Sequence, residues 1–152
     1  MSEWPFSSYL GPIGALPTAP RLARGFVFVV LNGWGLPESV DVLELIASEL
    51  ATNVVQAATS RDGHPRYDED GRLHLMWLRL LSDRSKVMLE VWDNLPEALG
   101  APLPHHAGDD EESGRGLEMV EMLTEDWGWE KVKGWTGKRV WALLPAIDKE
   151  DS

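Results

Sequence analysis

Residues Ser48–Ala58 read SELATNVVQAA, an apolar run interrupted by two polar side chains one helical turn apart. Upstream and within it, Leu43, Ile46, Leu50, Val54 and Ala57 recur at steps of three and four. That period predicts a helix over Ser39–Ala58 with one buried face. Glu49 and Asn53 lie four residues apart, so both side chains reach the same spot beside the helix. Taken alone, such a pair is most often a solvated contact that supports the helix. The sharper alternative is chemical: a carboxylate can accept a proton from a hydroxyl, and an amide oxygen can ligate a hard cation such as Mg²⁺. Gln56 follows within a turn and adds a further polar group.

The segments around this helix set its neighbours. Residues 1–24 hold Pro5, Pro12, Pro17 and Pro20 with Gly11 and Gly14, which predicts an irregular N-terminal arm. Gly25–Leu31, GFVFVVL, is aromatic and β-branched, which predicts a buried strand. After the helix, the polar stretch Ser60–Gly71 reads as turns. Leu73–Leu81 and Lys86–Trp92, joined by SDRS, read as a hairpin. Asp93–Ser113 carries Pro96, Pro102, Pro104 and the acidic run DDEE, a length of loop that suits a lid or binding loop. Gly116–Asp126 reads as a second helix, Trp129–Lys133 with Lys138–Leu144 as a second hairpin, and 146–152 as a charged tail. The order predicts an α+β two-layer sandwich, with helices on one face of a mixed, mostly antiparallel sheet spanning 25–145.

Composition narrows the function. A formal net charge of -11 argues against nucleic-acid or acidic-membrane binding, which needs basic patches. A small anion remains admissible if helix N–H groups or a metal ion offset that field. With zero cysteines there are no disulfides or thiolate metal sites. The N-terminus lacks the basic start of a signal peptide, and no apolar run is long enough to span a bilayer, so a cytoplasmic location is expected.

Three more features carry chemistry. Asp93 closes the run KVMLEVW; it suits either capping of turn N–H groups or acceptance of a ligand amino group at the sheet edge. Gly114 and Gly116 flank Arg115 just ahead of the second predicted helix, where exposed N–H groups, the helix dipole and a cation favour phosphate. The eight tryptophans suit sheet packing, with a protein-binding face as the alternative. His64, His74, His105 and His106 lack metal-site spacing.

Taken in order, WGL (34–36), SELATN (48–53), EVWD (90–93), GRGLEMVEML (114–123), DWG (126–128) and GKRVWALL (137–144) resemble the GHKL ATPase/kinase superfamily over roughly residues 22–145. Within it the chain is most similar to the small ATP-binding proteins related to bacterial anti-sigma factor serine/threonine kinases. The resemblance implies a Bergerat fold that binds Mg-ATP between helices and lid. It implies Glu49 as general base, Asn53 as Mg²⁺ ligand and Asp93 as acceptor of the adenine amino group. It implies that Gly114 and Gly116 shape the phosphate-binding lid, in which Arg115 between them would add its charge. It further implies transfer of the γ-phosphate to Ser or Thr of an anti-anti-sigma (STAS-type) partner, contact with a sigma factor, and homodimerisation as an assembly open to the chain. Absence of a preceding phospho-acceptor helix pair argues against a histidine kinase's ATPase domain.

Three positions depart from that pattern. Leu95 replaces a small residue beside the expected adenine edge, Arg139 replaces a hydroxyl residue in the last strand, and Ala57 replaces a polar one. Weakened or absent ATP binding is therefore expected at the adenine end. The alternative function is a non-catalytic partner-binding module with a degenerate pocket.

Overall fold

The structure, a computed structural model, describes residues 3–99 and 111–147, the side chains of 111–116 excepted. Five strands form a sheet of order β1-β2-β3-β5-β4: β1 (Phe6–Gly14), β2 (Leu75–Ser82), β3 (Lys86–Asp93), β4 (Asp126–Lys131) and β5 (Lys138–Pro145). Every pairing is antiparallel, so the expected mixed sheet is in fact uniform. The helices α1 (Ala19–Gly33), α2 (Val40–Ala57) and α3 (Glu111–Leu123) pack against one another and against one face of that sheet.

Two expectations near the N-terminus are overturned. Where the arm read over residues 1–24 is described, it holds instead the edge strand β1 and the start of α1. In β1, Phe6, Ser8 and Leu10 are half-buried while Ser7 and Tyr9 are exposed, a period of two that the prolines obscured. An edge strand tolerates Pro12, which falls within the register shift between Leu10 and Ile13, because one side of its backbone needs no ladder bond. The unit that carries the sheet therefore begins well before residue 25.

Gly25–Leu31 is not a strand but the second half of α1. The deciding pattern is Ala19, Ala23, Val27 and Leu31, four buried residues at every fourth position that pack α1 onto α2. This stripe straddles residue 25, so reading the two sides apart concealed it. Tertiary burial overrides the strand preference of Val and Phe, and Phe28 and Val29 are left exposed on the outer side of the helix.

The helix expected around Ser48–Ala58 is α2. Leu43, Ile46, Ala47, Leu50, Ala51 and Val54 form its buried stripe. They meet the inner-face residues Met76, Leu78 and Leu80 of β2, Val87, Leu89 and Val91 of β3, and Val140, Ala142 and Leu144 of β5 in one core. Each large aliphatic side chain buried there contributes about 1.5–3 kcal/mol. The two hairpin expectations correspond to β2–β3 and β4–β5, with the starts at Lys86 and Lys138 unchanged and the other ends shifted by one to three residues.

Candidate functional site

On α2, Glu49 and Asn53 are both half-buried, each beside a fully buried neighbour, Leu50 and Val54. Gln56, on the same side of α2, is exposed. Asn53 Nδ2 is sealed from solvent and has no hydrogen-bond partner among the described residues. An amide donor in that position ordinarily costs free energy, about 1–3 kcal/mol. Rotating the amide by a half turn exchanges donor and acceptor, so the group can present Nδ2 to an anion or Oδ1 to a hard cation. Glu49 has no ion pair or hydrogen bond among the described residues.

Asp93 ends β3 on the inner, helix-facing side of the sheet and is 0% exposed. Both carboxylate oxygens are engaged. Oδ1 accepts the Leu95 backbone N–H at 3.0 Å, and Oδ2 lies 2.7 Å from Lys138 Nζ. Leu95 itself joins the hydrophobic core. Asn94 Oδ1 accepts the Leu75 N–H at 2.8 Å, which pins the exit of β3 to the start of β2. Gly137 closes the corner: a Cβ there would lie 1.5 Å from the Asp93 carbonyl oxygen, so only glycine fits.

Lys138 is the site residue that sequence reading missed. Its signal was the alternation of β5: buried Val140, Ala142 and Leu144 set the inner face, and Lys138 shares their parity. Arg139 therefore points the opposite way, which corrects the expectation that it intrudes on the adenine edge. On the outer face Arg139 pairs with Glu90 at 2.5 Å and with Glu130 at 3.3 Å. Glu90 is also held by Arg79. Burial pushes its pKa up, but hydrogen bonding to Arg79 and the charge and hydrogen bonds of Arg139 outweigh that, leaving it below the ordinary value.

Gly114 and Gly116, expected just ahead of a helix, instead lie within it, because α3 begins at Glu111. Leu117 and Val120 then place the rest of α3 against the core. The Arg115 side chain and residues 100–110 of the expected lid fall outside the described residues. Among the described residues no cluster of His, Asp and Glu is arranged to hold a metal ion, and no helix is long and apolar enough to cross a membrane. The tryptophans divide by face: Trp127 and Trp129 pack on the core, whereas Trp77, Trp92 and Trp141 share the outer-face parity of their strands.

The structure thus places on α2 a Glu/Asn pair without partners among the described residues, and at the end of β3 an Asp93–Lys138 ion pair, with α2 packed against that strand. Comparison with protein families matches residues 13–143 to the histidine kinase-like ATPase domain. The match spans most of the chain, which therefore belongs to that family. Comparison with curated proteins gives no match.

Proposed function

We propose that this member of the histidine kinase-like ATPase family is an ATP-binding regulatory protein of the anti-sigma kinase type, which transfers phosphate from Mg-ATP to a Ser or Thr of an anti-anti-sigma partner. The observation that carries the reading is the orphaned Asn53 amide, one turn from an unpaired Glu49. A buried donor without a partner fits a group that receives phosphate oxygens or, rotated, a magnesium ion. The donor set therefore suits the metal and phosphate end of the ligand. When bound, Mg²⁺ would spread the charge of the transferring phosphoryl group. Asn53 would hold the ion, and Glu49, having no ion pair to break, would accept the proton of the partner's hydroxyl.

The adenine end does not fit in the same way. Asp93 has both oxygens occupied by the chain's own donors, Leu95 N–H and Lys138 Nζ. A ligand amine that reaches Oδ2 must share it with Lys138 or displace it. This observation favours a second reading, a partner-binding module that keeps the fold and docks without phosphorylating.

The two readings separate on incubation with radiolabelled Mg-ATP and an anti-anti-sigma protein. Label on the partner's serine, lost in Glu49→Ala, supports the kinase. No transfer, with partner binding unchanged in Glu49→Ala, leaves the docking module.

A further inference from the structure

The sheet face opposite the helices is covered by the chain's own aromatic and charged side chains. Across it, Tyr9, Arg79, Glu90 and Trp141 are successive register partners from β1 to β5, and Trp77, Trp92 and Arg139 form the adjacent row. Gly128 of the edge strand leaves room for Trp141; a Cβ there would lie 2.8 Å from the indole. Trp135, from the β4–β5 loop, folds back over Trp77 at 5.4 Å and Trp92 at 5.9 Å between ring centroids. Between them lies an open cavity of about 470 Å³, walled by Tyr9, Trp77, Arg79, Trp92, Val132 and Trp135.

Its charge is unusual for a chain of net charge -11. Glu90, 1% exposed, is shared by two arginines, Arg79 and Arg139. Arg139 has a second carboxylate, Glu130, whereas Arg79 has only its share of Glu90. The Nε of Arg79 is used on Glu90, and its two terminal nitrogens have no partner among the described residues. The side chain is 45% exposed and its guanidinium lies 6.0 Å from the Trp92 ring centroid, at the wall of the cavity. The cavity thus combines stacking surfaces with one incompletely neutralised cation offering paired N–H groups.

We propose that this cavity is a second ligand site, on the opposite side of the sheet from α2, and that it binds a mono- or bicyclic aromatic carboxylate. The ring stacks among Trp77, Trp92 and Trp135, and the carboxylate accepts the terminal N–H groups of Arg79. The volume lies within the ordinary range of small-molecule sites. The charge of Glu90 is offset by the two arginines that its oxygens face.

The test uses the full chain with 2-naphthoate as probe and 2-naphthamide as its neutral isostere. Calorimetry is expected to show saturable 2-naphthoate binding, with the amide weaker by roughly tenfold, the worth of a charge-assisted hydrogen bond. In ¹H–¹⁵N spectra the indole signals of Trp77, Trp92 and Trp135 shift, and Asn53→Ala leaves the titration unchanged. Trp135→Ala, a loop substitution that leaves the Arg79–Glu90–Arg139 cluster intact, weakens binding. Arg79→Gln reduces the acid to the affinity of the amide. No saturation at millimolar 2-naphthoate, equal binding of acid and amide, or shifts confined to other tryptophans overturns the proposal. Because the probe contains no phosphate and the readouts are independent of nucleotide, failure here is distinguishable from failure of the kinase reading.

Discussion

Lys138 and Asp93 are register partners on β5 and β3, and their side chains meet on the inner face with Nζ 2.7 Å from Oδ2. The pair is 11% and 0% exposed, so each charge depends on the other for compensation. Lys138→Thr is expected to destabilise the chain by about 3 kcal/mol in urea unfolding, since it strands a buried carboxylate. The same substitution frees Asp93 Oδ2 and should raise Mg-ATP affinity by roughly tenfold in calorimetry. The double variant Asp93→Asn, Lys138→Met should recover most of the stability without that gain. Equal nucleotide affinity in wild type and Lys138→Thr would show that the ion pair does not compete with the ligand.

Asn53→Ala provides the opposite pattern. It removes an amide whose Nδ2 has no partner among the described residues, so unfolding free energy should hold or rise, by up to about 1 kcal/mol. Stabilisation of the chain by millimolar Mg-ATP, read as a melting-temperature shift, should disappear. A large loss of stability with unchanged nucleotide response would make Asn53 a structural residue only.

The outer-face carboxylate predicts a pH dependence. Glu90 titrates below its ordinary value of 4.5 in the folded chain. Its unfolded form therefore binds protons first on acidification, and the stabilisation it supplies is full above 4.5 and lost as pH falls through the folded pKa. Urea unfolding from neutrality down to about pH 3 should show this decline, and Glu90→Gln should flatten it while lowering stability at neutrality.

Two glycines should respond in opposite directions. Gly25 sits exposed within α1, and a Cβ there meets nothing within 4 Å. Gly25→Ala should stabilise by about 0.5–1 kcal/mol, as expected of a helix interior. Gly137→Ala drives a Cβ into the Asp93 backbone and should destabilise by about 3 kcal/mol. Thermal melts of both variants check the helical assignment of 25–31 and the closed corner beside Asp93.

The core substitution Leu43→Ala should cost about 2–5 kcal/mol, because Leu43 is 0% exposed where α2 meets the sheet. Val29→Ala on the exposed side of α1 should stay within about 0.5 kcal/mol. Comparable losses at the two positions would contradict the orientation of α1.

The amino-acid sequence by itself determined the two-layer class and which side chains share a face at the candidate site. The three-and-four spacing from Leu43 to Val54 specifies α2 and carries Glu49 and Asn53 together, because a helix converts spacing directly into a shared face. The hairpins were legible for the same reason, since two-residue alternation bounded by turn residues is a local signal. What only the tertiary structure decided depended on partners distant in sequence. Helix or strand at Gly25–Leu31 was settled by the α1 stripe finding α2, and the proline-rich start became β1 by pairing with β2 across the sixty residues between the strands. Which of Lys138 and Arg139 faces Asp93 followed from the β3–β5 register, and a slip of one residue would have exchanged them. Local patterns thus assigned side chains to faces, while the pairing of distant segments decided which charges meet there.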